Sequence, residues 1–130
     1  MTGERGTKRF PGWKAGAFAW TFLVVFLSVW PFADTPHVEG SDKVAHFIIY
    51  AFTTMVYQAA GFGVLRSLVF SVGLGSALEL VQAGLPWRSF SEGDLLANAA
   101  GAGCIALLIV AGIPWPRVAA PGGRGKRTRK

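Results

Sequence analysis

Three short groups of polar residues interrupt an otherwise apolar chain: Asp42, Lys43 and His46; Glu79 and Gln82; Asp94 and Asn98. Asp42 and His46 are four residues apart, Glu79 and Gln82 three, and Asp94 and Asn98 four, so in a helix each pair shares a face. A histidine with two carboxylates can exchange protons as general acid and base, or ligate one divalent ion. Side chains of these types can also simply hydrogen-bond one helix to another. Ionisable groups inside hydrocarbon are costly, so a cluster of them there is where function is to be sought.

The elements that must position these groups are set by composition. With 52% hydrophobic and 15% charged residues and a mean hydropathy of +0.41, the 130-residue chain has too little polar surface to cover a soluble core. Four apolar stretches, 15–32, 44–62, 65–85 and 95–113, approach or reach the roughly 20 residues a helix needs to cross about 30 Å of hydrocarbon. The expected fold is all-α: a polytopic membrane protein, a four-transmembrane-helix bundle with short loops. A basic cytoplasmic tail (1–14) precedes the membrane domain (15–113), and a basic disordered cytoplasmic tail (114–130) follows it.

The first stretch resembles a signal peptide in following Arg5, Lys8, Arg9 and Lys14, with Ala33 near a cleavage position. Its apolar run exceeds a usual signal core and Pro31 stands where a small residue is wanted, so an uncleaved helix is expected, bracketed by the interfacial Trp13 and Trp30. Ten of the 13 cations lie in the two tails, and Arg66 lies in the second connection. The first and third connections hold Asp34, Glu39, Asp42, Glu92 and Asp94 against only Lys43 and Arg88. This asymmetry predicts a multi-pass protein of the cell membrane with both termini cytoplasmic. The tails read as topology determinants that touch anionic membrane lipids, and no nucleic-acid partner is expected.

Depth follows from the helical rise of about 1.5 Å per residue: His46 lies roughly 6 Å inward from Asp42, Asn98 the same distance from Asp94, and Glu79 roughly 9 Å below the end of its stretch. All three helices therefore place polar groups in one outer layer. On the second helix the stripe continues through Tyr50, Thr53 and Tyr57, which predicts that its polar side is buried over most of its length. Gly73, Ala77, Ala97, Gly101 and Gly103 offer surfaces for close helix approach. Cys104, the single cysteine, admits no internal disulfide and reads as a small packing residue.

The segment from Asp42 through Lys43, His46 and Phe47 to Tyr50 resembles the D-K-x-x-H-F-x-x-Y signature of VanZ-like membrane proteins. The later blocks are similar to that family's E-x-x-Q, R-S-F and D-x-x-x-N-x-x-G patterns, here Glu79 and Gln82, Arg88-Ser89-Phe90, then Asp94, Asn98 and Gly101. The resemblance covers roughly 42–113. Two positions depart from it: Ser91 follows the R-S-F block where an acidic residue is common, and Ile105 replaces a second glycine. The resemblance implies a small integral membrane protein related to one associated with resistance to the glycopeptide teicoplanin, with no well-defined activity.

The candidate functional cluster is Asp42, Lys43, His46, Tyr50, Glu79, Gln82, Arg88, Asp94 and Asn98. Each has a plainer role available. Asp42 and Lys43 can be a solvated interfacial pair, His46, Gln82 and Asn98 helix cross-links, Tyr50 a packing residue, and Asp94 a complement to a helix N-terminus. Glu79 demands a partner, with Arg88, Lys43 or His46 in reach, and Arg88 suits an oxyanion.

The leading functional expectation is recognition, without catalysis, of a lipid-linked envelope component or lipid-tailed glycopeptide at the outer leaflet. One alternative is an intramembrane enzyme acting on a lipid phosphate through His46, Glu79 and Asp94, using them as acid and base groups or as ligands for one ion. Another is a small transporter or proton pathway that would require oligomerisation. No cofactor and no metal are expected; against the enzyme, no helix carries two histidines at ligand spacing and neither Ser89 nor Ser91 sits in a nucleophile motif.

Overall fold

The computed structural model describes residues 12–31 and 40–114. The expectations for the segments 1–11 and 115–130, and for Ala33, Asp34 and Glu39, lie outside these residues. Four helices make up the described chain: α1 (Gly12–Val29), α2 (Ser41–Ala59), α3 (Val64–Ala83) and α4 (Glu92–Val110). Three of them, α1, α3 and α4, are long and apolar enough to cross a membrane. The helix over the second apolar stretch, α2, has comparable length at 19 residues but falls outside that group. Its polar opening and its stripe of His46, Tyr50, Thr53, Thr54, Tyr57 and Gln58 dilute its apolar content.

Every helix begins before its apolar stretch. The first turns of α2 and α4 recruit polar residues, since carboxylates such as Asp42, Glu92 and Asp94 complement the unpaired N–H groups there. Ser91 caps α4, its Oγ accepting from Asp94 N at 3.3 Å. α1 likewise takes in residues 12–14, placed in the tail on sequence grounds. The turn from α2 to α3 closes when Gly61 N donates to the Gln58 carbonyl and Phe62 N to the Tyr57 carbonyl. This closure needs the left-handed φ of +89° that Gly61 supplies, and the Phe62 ring then meets Tyr57 edge-on.

α2 lies against all three other helices, most extensively against α4, whereas α1 packs on α2 and α3. Gly101 makes the α2–α4 approach possible, because a Cβ at that position would collide with the Phe47 carbonyl and crowd the Ala51 amide. Gly75 performs the same service for α3. Gly73 and Gly103, expected at such contacts, have nothing within 4 Å of an added Cβ, and Ala77 is exposed. Cys104 is exposed as well, so it faces out from the bundle rather than packing within it; a thiol tolerates an apolar exterior.

The interior is polar and the exterior greasy. The largest fully buried side chains are Glu79, Asn98, Thr53, Thr54, Ser67 and Ser71, while Phe18 and Val110 stand 74% and 73% exposed. The α2 stripe is indeed buried, and it cross-links its neighbours. Trp20 Nε1 of α1 donates to Thr53 Oγ1 at 2.9 Å, and Tyr57 OH meets Thr21 Oγ1 at 2.8 Å. Toward α3, Thr54 and Ser71 hydroxyls are 2.9 Å apart, and Ser67 Oγ donates to Gln58 Oε1 at 3.3 Å. Links of this kind contribute about 0.6 kcal/mol each in a membrane, enough together to fix which helix faces which.

Candidate functional site

Alternating helix directions bring the first turns of α2 and α4 to the same end of the bundle as the last turns of α1 and α3. There α2 presents His46, α3 presents Glu79, and α4 presents Asp94 and Asn98. His46 Nδ1 lies 2.9 Å from Asn98 Oδ1. An amide oxygen carries no proton, so Nδ1–H donates and Nε2 is left as the second ring nitrogen. That Nε2 faces Asp94 Oδ2 at 3.9 Å, while Nδ1 is 3.8 Å from Glu79 Oε1.

Glu79 is 1% exposed, and its Oε2 accepts from the backbone N–H of Ser91 at 3.4 Å. Among the described residues no lysine or arginine nitrogen comes within 4 Å of the Glu79 or Asp94 carboxylate. Of the three partners expected for Glu79, the structure brings up His46 and leaves Arg88 and Lys43 farther away. One ligating atom from each of His46, Glu79 and Asp94 lies within 4.8 Å of the other two. Sequence spacing argued against a metal by looking along single helices; the three donors come from three different ones.

Asn98 forms the floor of this cluster and is 1% exposed. Its Nδ2 has no hydrogen-bond partner among the described residues. A Cβ on Gly75 would stand 2.8 Å from that nitrogen and 3.0 Å from the Tyr50 ring, so glycine leaves the room the amide occupies. Tyr50 in turn stacks beside His46, centroids 6.3 Å apart and rings inclined by 15°.

A cavity of about 300 Å³ adjoins the cluster between α1, α2 and α3. Its walls are apolar where Trp20, Leu23, Leu27 and Ile49 contribute and polar where Asp42, His46, Gln82 and Arg88 do. His46 and Tyr50 line it and link it to the cluster. Gln82 is tied down by donating from Nε2 to the Ser28 carbonyl of α1 at 2.9 Å, which makes it a cross-link on the cavity wall. Arg88 is exposed at its edge. Lys43 stands apart, its aliphatic chain laid over Gly93 in the first turn of α4.

Four predicted residues thus form one cluster, four more line the neighbouring cavity with His46 shared, and Lys43 belongs to neither. Ser91, Gly75 and Ser28 were not among the candidates. Toward Glu79 and Gln82, Ser91 and Ser28 act through backbone atoms, which residue type does not advertise. Gly75 had a signal, because Ser67, Ser71, Gly75 and Glu79 recur every four residues on one face of α3. No protein-family model, curated protein or solved structure matches this chain.

Proposed function

We propose that the protein is a multi-pass membrane protein in which α2 is the fourth span, both termini are cytoplasmic, and the α1–α3 cavity receives the polar head of an amphiphile. The amphiphile class is a lipid-linked envelope component or a lipid-tailed glycopeptide, entering from the outer leaflet. What carries the reading is the cavity itself, which sets an arginine, a histidine and an amide beside a greasy wall of Leu23, Leu27 and Ile49. An oxyanionic head suits Arg88, and an acyl or prenyl chain suits the leucines.

A membrane setting is supported by the inverted distribution of side chains: an exposed Phe18 or Val110 is costly in water and costs nothing against lipid tails. In such a setting α2 can cross because α1, α3 and α4 shield its polar stripe. The excess of Lys and Arg in the tails and at Arg66 supports the orientation. The resemblance of 42–113 to the VanZ-like family supports an envelope or antibiotic-linked role. A proton path along the α2 stripe has less support, because Thr53 donates to the Ile49 carbonyl at 2.8 Å instead of to Tyr50 or Tyr57.

The test is expression in a host susceptible to teicoplanin, comparing the wild type with Arg88→Ala and Leu27→Trp. Raised resistance that both variants weaken supports the reading; unchanged sensitivity at equal membrane expression contradicts it. A second reading, chemistry at a lipid phosphate, is favoured by the meeting of His46, Glu79 and Asp94 from three helices. Phosphate release from a polyprenyl diphosphate that vanishes in Glu79→Gln would favour it over recognition alone.

A further inference from the structure

We propose that His46, Glu79 and Asp94 bind one divalent transition-metal ion, of the kind Zn²⁺ or Mn²⁺. This rests on the cluster and holds whether or not the neighbouring cavity takes an amphiphile.

The first argument is charge. Two carboxylates face one imidazole, with no lysine or arginine within 4 Å of either among the described residues, and Glu79 is 1% exposed. Buried carboxylates need compensation. A doubly charged cation neutralises both at once.

The second argument is orientation. With the Nδ1 proton committed to Asn98 Oδ1 at 2.9 Å, Nε2 faces an Asp94 oxygen 3.9 Å away. A cation placed between Nε2 and that oxygen would be ligated by both. A neutral histidine held by a hydrogen bond on its other nitrogen is the form that ligates metals, and Asn98 supplies that hold. Glu79 is anchored in the same manner, its Oε2 by Ser91 N–H at 3.4 Å, which leaves Oε1 turned to the cluster.

The third argument is size. Bonds of roughly 2.0–2.2 Å from a Zn²⁺-sized ion to nitrogen and oxygen put neighbouring ligand atoms roughly 3–3.5 Å apart. The donor atoms here lie within 4.8 Å of one another, so small rotamer adjustments close the site. An imidazole with two carboxylates is a borderline donor set that suits zinc or manganese better than calcium. Three protein ligands leave a coordination position open, and His46 also lines the cavity.

The experiment uses the full chain in lipid nanodiscs, stripped with EDTA and titrated with Zn²⁺ and with Mn²⁺ by calorimetry. Metal content after desalting is read by mass spectrometry. The expected result is one equivalent per chain for at least one of the two ions, with affinity falling tenfold or more in Glu79→Gln and in Asp94→Asn. Co²⁺ loaded into the wild type gives visible ligand-field bands that His46→Ala removes, a readout on folded, monodisperse protein. No saturable binding of either ion to the wild type would overturn the proposal. Equal binding in Glu79→Gln and Asp94→Asn would overturn it too, because the ion would then be held elsewhere.

Discussion

Asn98 is the residue on which the cluster turns, because it sets the histidine tautomer that decides what His46 can do. Replacing it by alanine leaves the Nδ1 proton without its acceptor. Asn98→Ala is expected to lower stability in detergent by about 0.5–2 kcal/mol, read from unfolding in SDS titrations. Gly75 is tied to the same group: a methyl there would meet Nδ2 at 2.8 Å and the Tyr50 ring at 3.0 Å. Gly75→Ala should therefore cost about 1–3 kcal/mol and reduce divalent-ion affinity, whereas Gly73→Ala, with nothing within 4 Å, should do neither. At this scale much was legible in the chain. His46, Glu79, Asp94 and Asn98 stand out because a polar residue inside an apolar run has few reasons to be there. The contributions of Ser91 and Ser28 were not legible, since a backbone N–H or carbonyl looks the same whatever side chain it carries.

Among the elements, α2 is the helix that organises the rest, and its contact with α4 is made backbone to backbone at Gly101. A side chain there drives the helices apart instead of repacking a flexible neighbour. Gly101→Leu is expected to cost about 3 kcal/mol or to prevent folding, measured as loss of monodisperse protein in mild detergent, with Gly103→Leu as the tolerated control. Apolar runs disclosed all four helices, but not their starts, because the first turns are polar and hydropathy does not register them. The α2 stripe through Tyr50, Thr53 and Tyr57 was readable from its spacing. That Trp20, Thr21 and Ser71 answer it across the interface was not, because partners on other helices leave no local pattern.

For the molecule as a whole, the greasy exterior and polar interior were legible from composition, while the helix neighbours were not. Nothing in the order of stretches says that α1 rests on α2 and α3 instead of α4. The proposed topology makes a direct prediction. A fluorescent reporter active only in the cytoplasm should light at either terminus, and a cysteine introduced as Trp87→Cys in a Cys104→Ala background should react with an impermeant maleimide in intact cells. Reaction at the opposite end of the bundle, at Leu65→Cys in the exposed first turn of α3, would invert the orientation instead. The cluster would keep its geometry in that case, and the proposed amphiphile would have to come from the cytoplasmic leaflet.

That geometry, three helices delivering His46, Glu79 and Asp94 to one point, is the claim beneath the metal site and the lipid-phosphate chemistry alike, and short-range cross-linking in native membranes tests it most directly. In a Cys104→Ala background, the pair His46→Cys with Asp94→Cys and the pair His46→Cys with Glu79→Cys are treated with a short bifunctional thiosulfonate and weighed intact. The account predicts one bridging adduct per chain for both pairs, matching side chains that lie 3.9 and 3.8 Å apart at their nearest ionisable atoms. Two independent adducts on each chain, with no bridge in either pair, would contradict it.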